Sequence, residues 1–186
     1  MAPTTDDDAL MIRTAQGEEA AFRLLVQRWE GQVRSFLIHM LGSVEEAEDL
    51  AQDTFVQVFR KAGSYRAEGM FRSWLMRIAG NLARSRLRRR SLLRWVRFDP
   101  VRHDRGSEQT GPDGQLELGQ RREAVLTALD RLPARQREAL VLHRFQGMRY
   151  REVASAMDTT VPGVESLIQR ALAALRSDLG GKGELI

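Results

Sequence analysis

Glu45, Glu48, Asp49, Gln52 and Asp53 form a dense set of carboxylates and an amide. On a helix Glu45, Asp49 and Gln52 or Asp53 stack along one side, where like charges repel by roughly 0.3 kcal/mol per pair. A face kept only for solubility more often interleaves lysines, so the set reads either as a solvated face or as a surface offered to a basic partner. Carboxylates this close could also bridge metal ions, but helical di-metal sites pair them with a Glu-x-x-His partner, which the chain lacks. His39, His103 and His143 are scattered and make no metal site. With no cysteine, disulfides, thiolate zinc sites and thiol redox sensing are excluded within the chain. No cofactor is expected.

A second set has the opposite sign. Arg72, Arg77, Asn81, Arg84 and the run Arg88-Arg89-Arg90 fall off the apolar stripe of the segment FRSWLMRIAGNLARSRLRRR. No acidic residue lies between Glu68 and Asp99 to pair them locally, so a phosphate backbone is the nearest general explanation. The formal charge of +4 conceals this segregation. Residues 1–60 hold 5 Lys and Arg against 11 Asp and Glu, residues 61–105 hold 13 against 3, and residues 106–186 hold 11 against 11.

The elements that position these groups are helical. A first helix is expected from about Asp7 to Gln16, capped by an aspartate and stopped by Gly17. The next carries Phe22, Leu25, Val26, Trp29, Val33, Phe36, Leu37 and Met40 as a core stripe until Gly42. His39 is read as structural. Ser43 and Glu46 form a capping box for the acidic helix. Its buried stripe is Ala47, Leu50, Ala51, Thr54, Phe55, Val58 and Phe59, and Gly63 is its expected C-terminal cap. Phe71, Trp74, Leu75, Ile78, Leu82 and Ala83 give the arginine helix its apolar face. Ser91 to Phe98 either extends that helix or docks on a partner.

Breakers at Asp99-Pro100, Gly106-Ser107 and Gly111-Pro112-Asp113-Gly114 mark a mobile linker. Beyond it, Ala124, Val125, Leu126, Ala128, Leu129 and Leu132 make one helix ended at Pro133. Gln136 to Gln146, with Ala139, Leu140, Val141 and Phe145, makes another ended at Gly147. His143 is placed at the surface or rim. Then RYREVASAM, from Arg149 to Met157, forms a short helix with Val153, Ala154 and Met157 facing in. Asp158-Thr159-Thr160 turns the chain, and a last helix runs from Pro162 to about Leu179, with Val164, Leu167, Ile168, Ala171 and Leu175 inside and Gly180-Gly181 as its stop. Two helices joined by a tight polar turn, with Ala154 at the crossing, give a helix-turn-helix pattern.

The fold class expected is all-α, with two small helical domains joined by a flexible linker, the C-terminal one containing the helix-turn-helix. The boundaries are 1–97, 98–115 and 116–186. The hydrophobic fraction of 42% supports real cores. No apolar run approaches the roughly 20 residues of a membrane span, and the acidic Asp6, Asp7 and Asp8 are unlike a secretory signal. A cytoplasmic location without membrane insertion is expected.

The segments AEDLAQDTF, FRSWLMRIAGNLARSRLRR and LDRLPARQREALVLHRFQGMRYREVASAMDTTVPGVESLIQRALAAL resemble regions two and four of bacterial extracytoplasmic-function (ECF) sigma factors, in order and at the family's usual spacing. The resemblance implies a non-enzymatic initiation subunit that directs core RNA polymerase to promoters. It implies that Asp49, Gln52 and Asp53 bind the coiled coil of the largest polymerase subunit. It further implies that Ser64, Tyr65, Arg66 and Glu68, with Asn81, Arg84 and Arg88, open and read the minus-ten element on the melted non-template strand. Tyr65 could stack on a captured base or serve packing. The start of the last helix would enter the major groove of the double-stranded minus-thirty-five element through Pro162, Glu165, Ser166, Gln169 and Arg170. Glu165 could accept from a cytosine amine, Gln169 could pair with adenine, and Arg170 could reach guanine or the backbone. Many family members carry a basic residue at the place of Glu165. Thr159 and Thr160 suit a phosphate, and Arg149 and Arg151 read as phosphate anchors. An anti-sigma factor that holds the chain until a stress arrives is also implied. The alternatives are a stand-alone helix-turn-helix regulator, which leaves the acidic and arginine helices unexplained, the metal enzyme, and a module that sequesters another factor.

Overall fold

A computed structural model of the chain describes residues 6–97 and 113–178, and within them eight α-helices and no strand. Most of the segment read as a linker, with His103, and the Gly180-Gly181 stop lie outside the described residues.

Helix α1, Asp7–Ala15, is short, so its own hydrogen bonds could not hold it in water. Burial does that work: Leu10 and Met11 are fully enclosed, and Gly17 turns the chain away at φ +89°. Helix α2, Glu19–Leu41, buries Leu25, Trp29, Val33, Phe36, Leu37 and Met40 along one stripe. Gly42, at φ +70°, closes it by donating its N–H to Ile38 O at 2.8 Å, a left-handed cap that glycine adopts without steric cost. The Asp7 carboxylate accepts from Arg28 and from Trp29 Nε1 (3.1 Å for the latter), which seats α1 on α2.

Helix α3, Val44–Lys61, begins with half of the expected capping box: Ser43 Oγ accepts the Glu46 N–H at 3.3 Å. The Glu46 carboxylate does not return the bond, because it is drawn to Arg90 and Arg86. Two expectations fail at the other end. Gly63 is not a left-handed cap; residues 62–64 tighten into a 3-10 turn with Tyr65 N–H on Ala62 O at 3.1 Å, which serves late carbonyls without positive φ. Phe59 belongs to the rim, 48% exposed, with its ring edge on Phe22 at 5.2 Å.

Helix α4 runs Phe71–Arg97, so Ser91–Arg97 continues the arginine helix. It is buried on more than the one stripe. Ser73, Met76, Ala79 and Gly80 are also enclosed, because the second half of the chain packs on that side.

The second half starts with α5, Asp113–Asp130, three residues earlier than expected. Asp and Gly suit a first helical turn as readily as a loop, which is why Asp113-Gly114 reads as a breaker. Helix α6, Ala134–Leu140, widens into a π-turn at Val141–Phe145, with Gln146 N–H on Val141 O at 3.0 Å, and Gly147 (φ +65°) ends it. The wider turn sets Phe145 outward rather than in the core; it is 40% exposed and lies on the His39 ring, centroids 4.4 Å apart. Helices α7, Tyr150–Met157, and α8, Val161–Asp178, form the helix-turn-helix around Val153, Ala154, Met157, Val164, Ile168, Ala171 and Leu175. Leu167 is half-buried at its edge. Asp158, at φ +50°, makes the left-handed step between them, a conformation aspartate tolerates better than most residues.

The two halves share a seam. Helices α6 and α7 lie along α4, while α5, α6 and the π-turn meet α2. Arg137, almost fully buried, donates from Nη1 to Met40 O at 2.6 Å and from Nη2 to Asp130 O at 2.6 Å. Arg90 donates to Leu41 O at 3.1 Å. Two guanidiniums thus serve carbonyls at the negative end of α2 that have no partner further along the helix.

These burials predict an ordering in denaturant unfolding. Phe36→Ala empties an enclosed position and should cost about 3–5 kcal/mol. Phe59→Ala should cost less than half of that; an equal loss would return Phe59 to the core.

Candidate polymerase and nucleic-acid interfaces

Packing divides the acidic face of α3 into two groups. Glu46 pairs with Arg90 and Arg86, Glu48 lies 3.5 Å from Arg34, and Glu45 accepts the Ser43 hydroxyl at 2.9 Å. Glu45 is held below the usual carboxylate range by its own amide at the helix start, then by Ser43. Asp49, Gln52 and Asp53 are exposed and make no hydrogen bond or ion pair among the described residues. Val56, 46% exposed, and Phe59 continue the same flank with apolar surface. A charged, unpaired patch bordered by apolar side chains suits a partner helix of opposite charge.

The arginine helix is not without anions, as the sequence window suggested. Arg84 pairs with Glu138, bridging to Asn81 Oδ1, and Arg86 and Arg90 pair with Glu46. Arg72 donates to Gln146 O, and Arg77 Nε to Ser155 O at 3.1 Å. These partners are remote in sequence, so no local count could find them. Arg88 and Arg89 stay exposed and unpaired among the described residues.

Glu138 is fully enclosed, and burial pushes its carboxyl above the ordinary range against the pull of Arg84 and the more distant Arg135. Its position in α6 held a signal. Val141 and Leu142, three and four residues on, are both core, so Glu138 had to turn inward with them. Gly80 makes room for it, since a methyl group there would overlap Glu138 Oε1.

The loop ahead of α4 is built on a carboxylate the sequence left unassigned. Asp8 Oδ2 accepts the Gly69 N–H at 2.6 Å, and Oδ1 accepts the Tyr65 hydroxyl. Tyr65 is half-buried, its ring edge-on to Phe71 and Trp74 at 5.9 and 5.0 Å. Burial, then the bond to Asp8, holds its phenol well above the usual range. Arg66 and Glu68 are exposed at the tip, and Ser64 donates to Lys61 O at 2.9 Å.

On α8, Pro162, Glu165, Gln169 and Arg170 are exposed and Ser166 is half-buried. Their spacing puts them on one face. Arg170 Nη2 donates to Ser166 Oγ at 2.8 Å, which steadies the guanidinium. Thr160 Oγ1 accepts the Gly163 N–H at 3.2 Å and so already caps the helix, while Thr159 packs close behind it. Arg149 and Arg151 are exposed at the start of α7, where the Glu152 carboxylate accepts the Arg149 N–H at 2.7 Å.

Residues 25–93 match the family model described as Sigma-70 region 2, and residues 122–175 that described as Sigma-70, region 4. The chain is 31% identical over 178 residues to the ECF RNA polymerase sigma-E factor of Haemophilus influenzae, covering 92% of this chain and 94% of that protein. It is 33% identical over 179 residues to the RNA polymerase sigma factor NccH of Alcaligenes xylosoxydans xylosoxydans, covering 94% and 95%. Among solved structures it resembles CnrH in complex with the cytosolic domain of CnrY, at TM-score 0.71 and 26% identity over 96% of this chain and 99% of that one. It also resembles the sigma factor RpoE in complex with the anti-sigma factor NepR from Bartonella quintana, at TM-score 0.69 and 26% identity over 87% and 98%. The chain belongs to the sigma-70 family, as an ECF RNA polymerase sigma factor. Sigma factors are transcription initiation factors that bind core RNA polymerase and promoter DNA. Among the described residues no helix is long and apolar enough to cross a membrane.

The buried pair yields a double-mutant cycle. Arg84→Ala leaves a carboxylate enclosed without its cation and should destabilise the seam by about 3–5 kcal/mol. Adding Glu138→Gln should recover most of that in denaturant unfolding; simple additivity would show that the pair is not coupled.

Proposed function

We propose that Asp49, Gln52 and Asp53 grip the largest subunit of core RNA polymerase, while the loop Ser64 to Glu68 with Asn81, Arg84 and Arg88 reads the minus-ten element and the outer face of α8 reads the minus-thirty-five element. The observation that carries this reading is the division of charge on α3. The acids that the fold uses are paired, and three polar side chains in a row are exposed with no partner among the described residues. Exposed carboxylates of this kind steer and orient a basic partner more than they hold the monomer together.

Promoter contact divides by chemistry. Arg88, Arg149 and Arg151 suit phosphates, which give affinity without sequence information. Glu165, Gln169 and Arg170 carry donors and acceptors that suit base edges in the major groove. Arg66 and Glu68, with Ser64 and Tyr65 at the base of their loop, face a strand whose bases are exposed once the duplex opens. The chain performs no catalysis of its own and works in the cytoplasm. The resemblance to RpoE in complex with the anti-sigma factor NepR supports control of this chain by an anti-sigma factor, and we infer that a stress releases it.

Run-off transcription with purified core polymerase on a library of upstream DNA tests the whole reading: specific initiation is expected, and its absence would end it. Reversing charge at Asp49→Lys and Asp53→Lys should weaken core binding roughly ten-fold or more with the helical circular dichroism unchanged. Gln169→Ala should shift preference at one or two upstream positions; a uniform loss would make Gln169 a backbone contact.

A further inference from the structure

The region 2 match begins at residue 25, so it assigns nothing to α1. Yet α1 carries a carboxylate that touches both ends of one loop. Asp8 is 8% exposed and uses both oxygens, Oδ1 for the Tyr65 hydroxyl and Oδ2 for the Gly69 N–H at 2.6 Å. Neighbouring Asp7 ties the same helix to Arg28 and Trp29, so the acceptor is itself immobilised. Between the two anchored residues, Arg66, Ala67 and Glu68 are exposed, turned back on themselves by a Glu68 N–H to Arg66 O bond of 3.0 Å. Gly69 takes φ +70°, which fixes the exit of the loop.

A loop joined only at its chain ends would sample many shapes and lose that freedom on binding a strand. A loop cross-tied at its base has already lost it on folding. We propose that Asp8 is a positioning residue for promoter reading, holding the Arg66-Ala67-Glu68 tip in one arrangement through Tyr65 and Gly69. This rests on the reading that the loop faces the minus-ten element. Tyr65 then acts through its hydroxyl as an anchor, rather than through its ring as a stacking platform.

The test uses the full chain with core polymerase and promoter fragments substituted one base at a time in the minus-ten element, reading run-off yield for the best sequence relative to each substituted one. Tyr65→Phe keeps the ring packing and any stacking but removes the bond. It should reduce discrimination roughly ten-fold, about the worth of one mismatched pair, with core affinity and minus-thirty-five preference unchanged. Asp8→Ala should do the same, and Asp8→Asn, whose amide can still accept from Gly69 and donate to Tyr65, should retain most of it. Arg66→Ala and Glu68→Ala separate the two claims. If they alter minus-ten preference while Asp8→Ala and Tyr65→Phe do not, the anchor is refuted and the loop assignment stands. If neither tip variant alters it, the loop assignment itself fails. A proportional loss on every promoter would make Asp8 merely structural, and should Asp8→Ala not fold, Tyr65→Phe decides.

Discussion

A carboxylate enclosed at Glu138 demands a cation, and the demand is met from the other half of the chain by Arg84. Removing such a group from water costs several kcal/mol unless it is paired and hydrogen-bonded. The rest of the seam follows from that pairing. Gly80 leaves space for the carboxylate, and the small residues Ser73 and Ala79 let α7 approach α4 closely. At that distance Ser73 donates to Glu152 O at 3.2 Å, and Arg72 and Arg77 find carbonyls of the second half. A helix that reads as a cationic surface is in large part an internal one.

The surfaces left over are distinguished by what the fold does not use. On α3 the pairing of Glu46 and Glu48 leaves the neighbouring acids unneutralised. On α8 the residues facing out are held by a helix whose opposite side is core, so the reading groups sit on a rigid element rather than on a loop. The loop before α4 obtains comparable rigidity by another route, a single acceptor on α1.

Much of this was legible because helical periodicity and turn chemistry are local. The stripes of α2 and α3, the left-handed glycines at 17, 42 and 147, and the helix-turn-helix all depend on neighbours within a few residues. What was not legible depends on contacts between distant segments. The anions of the arginine helix lie at residues 46 and 138, and the second buried side of α4 exists only because α6 and α7 cover it. Phe59 and Phe145 have helical spacing but sit where a stripe reaches the rim, and for Phe145 the π-turn rotates the last turn outward. Gly63 shows the limit of residue-type rules, since a 3-10 turn made its freedom unnecessary.

Arg84 already holds an anion, and that anion is attached to the same molecule. Glu138 is therefore a tethered competitor whose local concentration, on the order of millimolar or above for a linked group, does not fall on dilution. A phosphate that takes Nη1 from Glu138 makes an exchange rather than an addition, and leaves behind a carboxylate that must regain water. The free energy of such a contact is a difference between two charge-assisted bonds, not the full worth of one.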